Sequence, residues 1–157
     1  MLYEVTGDLL RNHNFNIFCH QTNCKGVMGA GIAKQIAALY PIVQEKNKEY
    51  CKRNPLGTVL PVQVSEDRIC VNIYGQDGYG RGKRYTDYDA LRAALDSFAA
   101  RLNSSKIPKY WNIGFPYRIG CGLAGGEWDT VRKMLEEFSD KVEYNVFVVK
   151  LPTEKEV

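Results

Sequence analysis

The sequence predicts an α/β fold in which helices cover both faces of a mixed central sheet. Short apolar runs typical of strands alternate with segments of helical periodicity over most of the 157 residues. No internal repeat or low-complexity linker interrupts this pattern, so we expect residues 1–157 to form a single domain. Such sheets bind ligands in the crevice at the carboxyl ends of their strands, so function is expected in the loops that follow strands.

The N-terminal half predicts two strands, two helices and a hairpin. The first helix has Ile32, Ile36 and Leu39 at helical spacing, and Pro41 suits the first turn of the second helix. The polar residues 65–67 predict the turn of the hairpin. The predicted elements are strands at residues 2–5 and 16–21, helices at 29–40 and 41–52, and paired strands at 58–64 and 68–74.

The C-terminal half begins with a loop rich in glycine and tyrosine at residues 75–84. A long amphipathic helix follows, and either Thr86 or Asp87 is expected to cap it. The remaining predicted elements are a strand at residues 110–114, a helix at 129–139, a strand at 142–149 and a charged, frayed end at 152–157.

Composition excludes several classes of protein. The hydrophobic fraction of 45% and charged fraction of 25% are those of an ordinary soluble domain, and no apolar run is long enough to predict a membrane span. The net charge of +3 comes from scattered residues and short pairs, which favours a solvated surface over a patch for polyanions. Five cysteines without a CxxC pair, and only two histidines, predict neither disulfides nor a metal site.

This cysteine usage fits a reducing compartment, with Cys19 and Cys70 expected in the core. The N-terminus has no basic region followed by an apolar stretch, so we expect no signal peptide. The predicted location is therefore the cytoplasm, or also the nucleus if the source is eukaryotic.

Two glycine-rich loops follow predicted strands and precede predicted helices. The first contains Gly26, Gly29 and Gly31, and the second has four glycines within residues 120–126. Glycine lets a ligand approach the backbone closely, and amides at the start of a helix form an anion site without lysine. The spacing matches neither the dinucleotide fingerprint nor the Walker A loop. A pair of such loops suggests a clamp around a diphosphate, whereas one loop alone fits tight helix packing equally well.

Three motifs resemble those of the macro domain, the ADP-ribose-binding module, and occur in the family's order. They are "GDLL" at residues 7–10, "TNCKGVMGAGIA" at 22–33 and "RIGCGLAGGEW" at 118–128. The resemblance implies a three-layer α/β/α macro domain. Its implied partner is ADP-ribose, an ADP-ribose derivative or an ADP-ribosylated macromolecule, with no cofactor and no membrane. Nucleic acid is expected only as an ADP-ribosylated substrate.

The resemblance also implies roles for individual residues. Asp8 would hold the adenine with the Leu9 amide beside it, although a turn or cap role suits Asp8 as well. Asn23 would bind the distal ribose, and its alternative is an Asx turn. The two loops would hold the diphosphate through Gly26, Val27, Met28, Gly29, Ala30, Gly31 and Ile32, and through Ile119, Gly120, Cys121, Gly122 and Leu123.

The branch of the family that this sequence most resembles includes ADP-ribose 1″-phosphate phosphatases and hydrolases of ADP-ribosylated glutamate or DNA. The phosphatase-like members carry a histidine at the position of His20, which predicts a general acid here, with a buried core histidine as the alternative. The hydrolases use a lysine after the fourth strand, and this chain has none there unless Lys83 enters the site from the loop at residues 75–84. Some hydrolases add an aspartate at the position where Ala124 stands in this chain.

Asp77 lies in the loop where that lysine would be, and it is a candidate to activate water, with a turn role as the alternative. Tyr74, Tyr79 and Tyr85 are expected at the rim of the site. The resulting prediction is a protein that binds ADP-ribose and hydrolyses at the distal ribose, with His20, Asn23 and Asp77 as catalytic candidates. The alternative is a reader without chemistry, or a receptor for an NAD-derived signal.

Overall fold

The computed structural model describes residues 1–154, which form one mixed six-stranded sheet and four helices. The strand order is β1-β6-β5-β2-β4-β3, and all neighbouring strands are parallel except the antiparallel pair β3 and β4. In chain order the elements are β1 Leu2–Thr6, β2 Ile17–Gln21, α1 Gly31–Leu39, α2 Pro41–Cys51, β3 Val59–Ser65, β4 Arg68–Ile73, α3 Tyr88–Asn103, β5 Asn112–Pro116, α4 Trp128–Asp140 and β6 Asn145–Lys150.

Helices cover both faces of the sheet because side chains alternate along the buried strands. In β2, Ile17 and Cys19 join the apolar cluster beneath α3 and α4. Phe18, between them, joins the cluster beneath α1 and α2. The predicted fold class, a three-layer α/β/α arrangement with a mixed sheet, is therefore confirmed.

Most predicted elements are observed, and the differences lie at their ends. β5 begins two residues later than predicted because residues 108–111 form a turn, in which the Trp111 amide donates to the Pro108 carbonyl. β6 likewise begins at Asn145, after a turn that precedes it. The predicted frayed end at residues 152–157 extends beyond the described part of the chain.

Asp87, not Thr86, caps α3, since the Asp87 carboxylate accepts a hydrogen bond from the Ala90 amide at 3.0 Å. Cys19 and Cys70 are fully buried in the core, as the sequence predicted. Within the described residues, no helix is long and apolar enough to cross a bilayer.

Candidate functional site

The candidate site lies at the edge of the sheet where the parallel strands end. Because β1, β2, β4 and β5 all run in one direction, the loops that follow them emerge at the same edge. We call residues 22–30 the first glycine loop, residues 74–87 the β4 loop and residues 117–127 the second glycine loop. The β4 loop follows the strand next to β2, and β5 flanks β2 on its other side.

The side chain of Gln21, the residue before the first glycine loop, bonds the β4 loop and through it the second glycine loop. Its Nε2 atom donates to Gln76 Oε1 at 2.9 Å and to Thr86 Oγ1 at 2.8 Å. The Thr86 hydroxyl then donates to the Gly120 carbonyl at 2.6 Å. Gly120 has a φ of +73°, and a Cβ there would lie 3.0 Å from Gln21 Oε1. The structure therefore brings both glycine loops to one place, through a polar network at the end of β2.

Backbone hydrogen bonds strengthen this connection. The Cys24 amide of the first glycine loop donates to the Asp77 carbonyl at 2.9 Å. On the other side, the amides of Tyr85 and Thr86 donate to the Ala124 carbonyl of the second glycine loop at 2.7 and 3.1 Å. The β4 loop is thus bonded to both glycine loops and fixes the spacing between them.

The fold requires some of the glycines and leaves others unexplained. A Cβ at Gly126 would lie 2.6 Å from the Gly120 carbonyl oxygen, so close backbone packing requires glycine there. Apart from the glycine's own chain neighbours, a Cβ at Gly122 would have no atom within 4 Å among the described residues, and one at Gly29 would have only Val27 Cγ1, at 3.6 Å. Neither residue has a positive φ. Internal packing therefore does not account for glycine at these two exposed positions, whereas close approach of a ligand would.

The first glycine loop leads directly into α1. In the described structure no side chain caps this helix, and its first turn contains no acidic residue. The amides of the first helical turn have no partner within the helix, and the helix dipole makes this end partly positive. Together with the exposed Gly29, Ala30 and Gly31, this arrangement suits an anion bound by backbone N–H groups.

The Asn23 side chain holds the first glycine loop in shape. Its Oδ1 atom accepts hydrogen bonds from the amides of Lys25 at 2.9 Å and Val27 at 3.5 Å, while Nδ2 donates to the Val27 carbonyl at 2.9 Å. This is the Asx-turn alternative weighed from the sequence. A contact between Asn23 and the distal ribose stays a prediction.

Asp8 begins the turn after β1. Its Oδ1 atom accepts from the amides of Leu10 at 3.1 Å and Arg11 at 3.2 Å, and Oδ2 forms an exposed ion pair with Arg11. The carboxylate therefore organises the turn, and 38% of the side chain stays exposed. The adenine contact is a prediction that this geometry leaves sterically open. Leu9 is buried, and its side chain packs against Gly114 of β5.

A buried arginine supports the same turn. Arg68, the first residue of β4, is fully buried, and its guanidinium donates to the carbonyls of Leu9, Leu10 and Phe15 at 2.9 to 3.1 Å. The guanidinium also lies 4.3 Å from the centroid of the Phe18 ring. The sequence analysis did not identify Arg68, because a lone arginine at the start of a strand gives no signal of its burial.

His20 is fully buried on the α2 side of the sheet. Its Nε2 atom lies 2.6 Å from Asn72 Oδ1, and its Nδ1 atom has no partner within the described residues. Burial lowers the His20 pKa from 6.5 to about 4, against a smaller opposing effect of the hydrogen bond to Asn72. This is the geometry of the buried core histidine, and a role for His20 as a general acid stays a prediction.

Asp77 is exposed and lies beside the first glycine loop. Its Oδ2 atom is 3.3 Å from Lys25 Nζ, and both side chains are more than half exposed. The structure thus places a carboxylate and an ammonium between the loops that follow β2 and β4. Of the three tyrosines expected at the rim, Tyr79 is exposed and Tyr85 half-buried, but Tyr74 is fully buried and donates to Asn47 Oδ1 at 2.8 Å. The prediction for Tyr74 was therefore wrong.

A separate apolar cavity of about 210 Å³ lies toward the opposite edge, between the sheet and the C-terminal part of α3. Its walls include Ile17, Ile69, Phe98 and Leu102. Such a lining has few groups that could bind a diphosphate, so the glycine loops remain the candidate site. Within the described residues, no cluster of three or more histidine, cysteine or acidic side chains could hold a metal ion.

With this geometry established, the family can be assigned. The family model of the macro domain matches residues 19–135, which span both glycine loops. The chain belongs to the macro domain family. The motifs that predicted the family lie at one edge of the sheet, as the resemblance implied.

Known proteins resemble this macro domain along nearly its whole length. An ADP-ribose 1″-phosphate phosphatase from Saccharomyces cerevisiae is 27% identical over 169 residues, covering 91% of this chain and 96% of the relative. The macrodomain of Mycobacterium tuberculosis DarG has a TM-score of 0.80 at 24% identity, covering 98% and 99% of the two chains. Thermosipho africanus DarTG, solved in complex with ADP-ribose, has a TM-score of 0.79 at 21% identity and covers 99% of this chain and 43% of that one. The two structural similarities establish the fold alone.

The structure also adds residues that the sequence analysis of this macro domain missed. The sequence indicates Gln21 only as the end of a strand, and Thr86 only as a possible helix cap. A polar residue closing an apolar strand, directly before a glycine loop, was the available signal for Gln21. Thr86 gave none, because its contact with Gly120 joins segments 34 residues apart.

Proposed function

We propose that this macro domain binds ADP-ribose, with the diphosphate between its two glycine loops. The observation that carries the proposal is the pair of exposed glycines, Gly29 and Gly122, which the packing of the fold does not require. They belong to two loops that the β4 loop connects. The ADP-ribose complex of the Thermosipho africanus protein, which shares this fold, supports the choice of ligand.

In this proposal the backbone provides most of the binding energy. Amides of residues 26–32 and the dipole of α1 would stabilise the diphosphate from one side, and amides of residues 119–123 from the other. Asp8 would accept a hydrogen bond from the adenine amino group, and the Leu9 amide would lie beside it. Preorganised amides bind an anion without the entropy cost of ordering long charged side chains.

We further propose that the bound substrate is ADP-ribose 1″-phosphate and that the protein hydrolyses its phosphate ester. The similarity to the yeast phosphatase, which extends over 91% of this chain, supports this choice. Asp77 would accept a proton from a water molecule that attacks phosphorus. The bond between phosphorus and the ribose oxygen would break, the oxygen would take up a proton from solvent, and ADP-ribose and inorganic phosphate would leave.

The groups near Asp77 differ in what they could contribute to this hydrolysis. Lys25 Nζ, 3.3 Å from Asp77 Oδ2, would offset part of the negative charge that phosphate brings to the site. Asn23 would act by keeping the loop in shape. His20 is fully buried with a pKa of about 4, so the proposed step gives it no proton to transfer.

A second candidate function is a reader of ADP-ribose without chemistry. One observation favours it: each predicted catalytic side chain is already engaged. The Asn23 amide bonds the loop, His20 bonds Asn72 in the core, and Asp77 pairs with Lys25. A reader or receptor would bind ADP-ribose equally well and release no product.

Two measurements distinguish these functions. Calorimetry with ADP-ribose tests binding, and release of inorganic phosphate from ADP-ribose 1″-phosphate tests the reaction, with release of ADP-ribose from ADP-ribosylated protein as a parallel assay. Binding with phosphate release supports the phosphatase. Binding without turnover of either substrate leaves the reader, and absence of binding refutes both.

Asp77→Asn tests the proposed base. We expect phosphate release to fall by about 100-fold or more, because general base catalysis contributes at least that factor, while ADP-ribose affinity changes little. Asp140→Asn, at the exposed C-terminal end of α4, is the matched control and should keep wild-type turnover. Full activity in Asp77→Asn would exclude Asp77 as the base.

A further inference from the structure

A short segment of the β4 loop combines exposed positive charge with aromatic rings. Residues 78–86, here called the basic–aromatic segment, have the sequence GYGRGKRYT and contain three cations and no acidic residue. The side chains of Arg81, Lys83 and Arg84 are all exposed. In the sequence the last two form only an isolated pair, so this concentration of charge was not recognised.

The carboxylates at the two ends of this segment are already occupied. Asp77 pairs with Lys25, and Asp87 accepts from the Ala90 amide at the start of α3. Among the residues that the structure describes, neither carboxylate forms an ion pair with a cation of the segment. The positive charge at this surface is therefore left for an anionic partner.

The backbone of the segment is held against the second glycine loop. The amides of Tyr85 and Thr86 donate to the Ala124 carbonyl. At Gly125, with a φ of +75°, a Cβ would lie 2.9 Å from the Lys83 carbonyl oxygen and 3.1 Å from Arg84 Cα. This close packing means that the cations project from a supported loop.

Aromatic rings lie beside the charges. Lys83 Nζ is 4.8 Å from the centroid of the Tyr85 ring, and Arg84 Cζ is 4.2 Å from that of Tyr88. Tyr79, near the start of the segment, is 55% exposed. An exposed ring beside cations is the arrangement on which unpaired bases stack while phosphates contact lysine and arginine.

We propose that the basic–aromatic segment binds single-stranded nucleic acid, DNA or RNA, that carries no ADP-ribose. Stacking on Tyr79 requires unpaired bases, and a glycine-rich loop has neither the helix nor the ribbon that reads a major groove, so the partner is single-stranded. The exposed Tyr79 ring beside this run of cations favours a nucleic acid over an acidic peptide, which would use the charges alone. The proposed contacts are made by exposed side chains of the segment and do not depend on the proposed function.

Fluorescence anisotropy with labelled oligo-dT and oligo-U of about 12 nucleotides, a length within the usual site size, tests the proposal. We expect the wild type to bind at low salt and to weaken as salt rises. The triple variant R81Q/K83Q/R84Q should lose three phosphate contacts. The plot of the logarithm of the association constant against the logarithm of the salt concentration should therefore be less steep, by about 2. The matched variant K46Q/K106Q/K133Q removes three exposed lysines elsewhere and should keep the wild-type slope.

Tyr79 variants separate stacking from charge. Tyr79→Ala should weaken oligonucleotide binding by about fivefold or more, since a stacked base contributes at least that factor, whereas Tyr79→Phe should bind like the wild type. Binding of both polymers, or of DNA or RNA alone, supports the proposal and identifies the partner. It is overturned by absence of binding at low salt, by equal slopes in the two triple variants, or by competition from oligoglutamate as strong as that from an oligonucleotide. Calorimetry with ADP-ribose on R81Q/K83Q/R84Q reports on the glycine loops separately.

Discussion

The burial of His20 gives a prediction whose size follows from the structure. The side chain is fully buried, and its pKa falls from 6.5 to about 4. The folded protein therefore binds fewer protons at this site than the unfolded chain between these two pH values, so folding stability decreases as pH is lowered through this window. The full difference corresponds to about 3 kcal/mol, at about 1.4 kcal/mol per pH unit.

Most of this loss of stability falls within a pH range in which unfolding can be measured. Between about pH 7 and about pH 5, the His20 contribution to the free energy of unfolding should fall by about 2 kcal/mol. Urea unfolding followed by tryptophan fluorescence at several pH values measures it. His20→Gln has no titrating ring, so its stability, although lower at neutral pH, should lose about 2 kcal/mol less over the same range.

His13, the other histidine, is exposed and provides the control. His13→Gln should keep the part of the pH dependence that is due to His20. Parallel loss of stability in His20→Gln and the wild type would contradict the lowered pKa of His20, as would an NMR titration that gives His20 a pKa near 6.5. Either result would mean that water reaches the ring, and a general acid role would then regain support.

Three further substitutions test the frame of the site. Arg68→Met should lower the free energy of unfolding by about 3 kcal/mol or more, because it leaves several buried carbonyls without a donor. A urea midpoint close to that of the wild type would contradict the assigned hydrogen bonds. Gly126→Ala should cost about 1–3 kcal/mol in thermal unfolding, since its Cβ would lie 2.6 Å from the Gly120 carbonyl oxygen; an unchanged melting temperature would count against this packing. Asp8→Asn keeps the acceptor that holds the turn but removes the charge, so calorimetry should show that the affinity for ADP-ribose falls by about tenfold. An affinity equal to that of the wild type would exclude the adenine contact.

The fold was predictable because its signals are local. Apolar runs and helical spacing located every strand and helix in the described residues, and only their ends shifted. The start of β5 was misplaced because Tyr110 and Trp111 favour strands by propensity, yet a turn to the Pro108 carbonyl holds them outside the sheet. Tertiary contacts set such boundaries, and propensity does not report them.

The site was predictable only where its residues form continuous motifs. Both glycine loops and Asp8 could be identified from short stretches of sequence. The connections between them could not, because Gln21, Thr86 and Gly120 are joined across 65 and 34 residues. The burial of Arg68 could not be predicted either, because nothing in the neighbouring sequence distinguishes this arginine from one on the surface.

Calorimetry on one variant decides whether the two glycine loops jointly bind ADP-ribose. Gly122 has no positive φ, and a Cβ there would meet no atom of the described residues within 4 Å apart from its chain neighbours, so Gly122→Val should fold with the wild-type melting temperature. We expect the wild type to bind one ADP-ribose and Gly122→Val to bind none that calorimetry detects, because the valine side chain would block the approach of the diphosphate to the loop. Binding of ADP-ribose by folded Gly122→Val with wild-type affinity would contradict joint binding by the two loops.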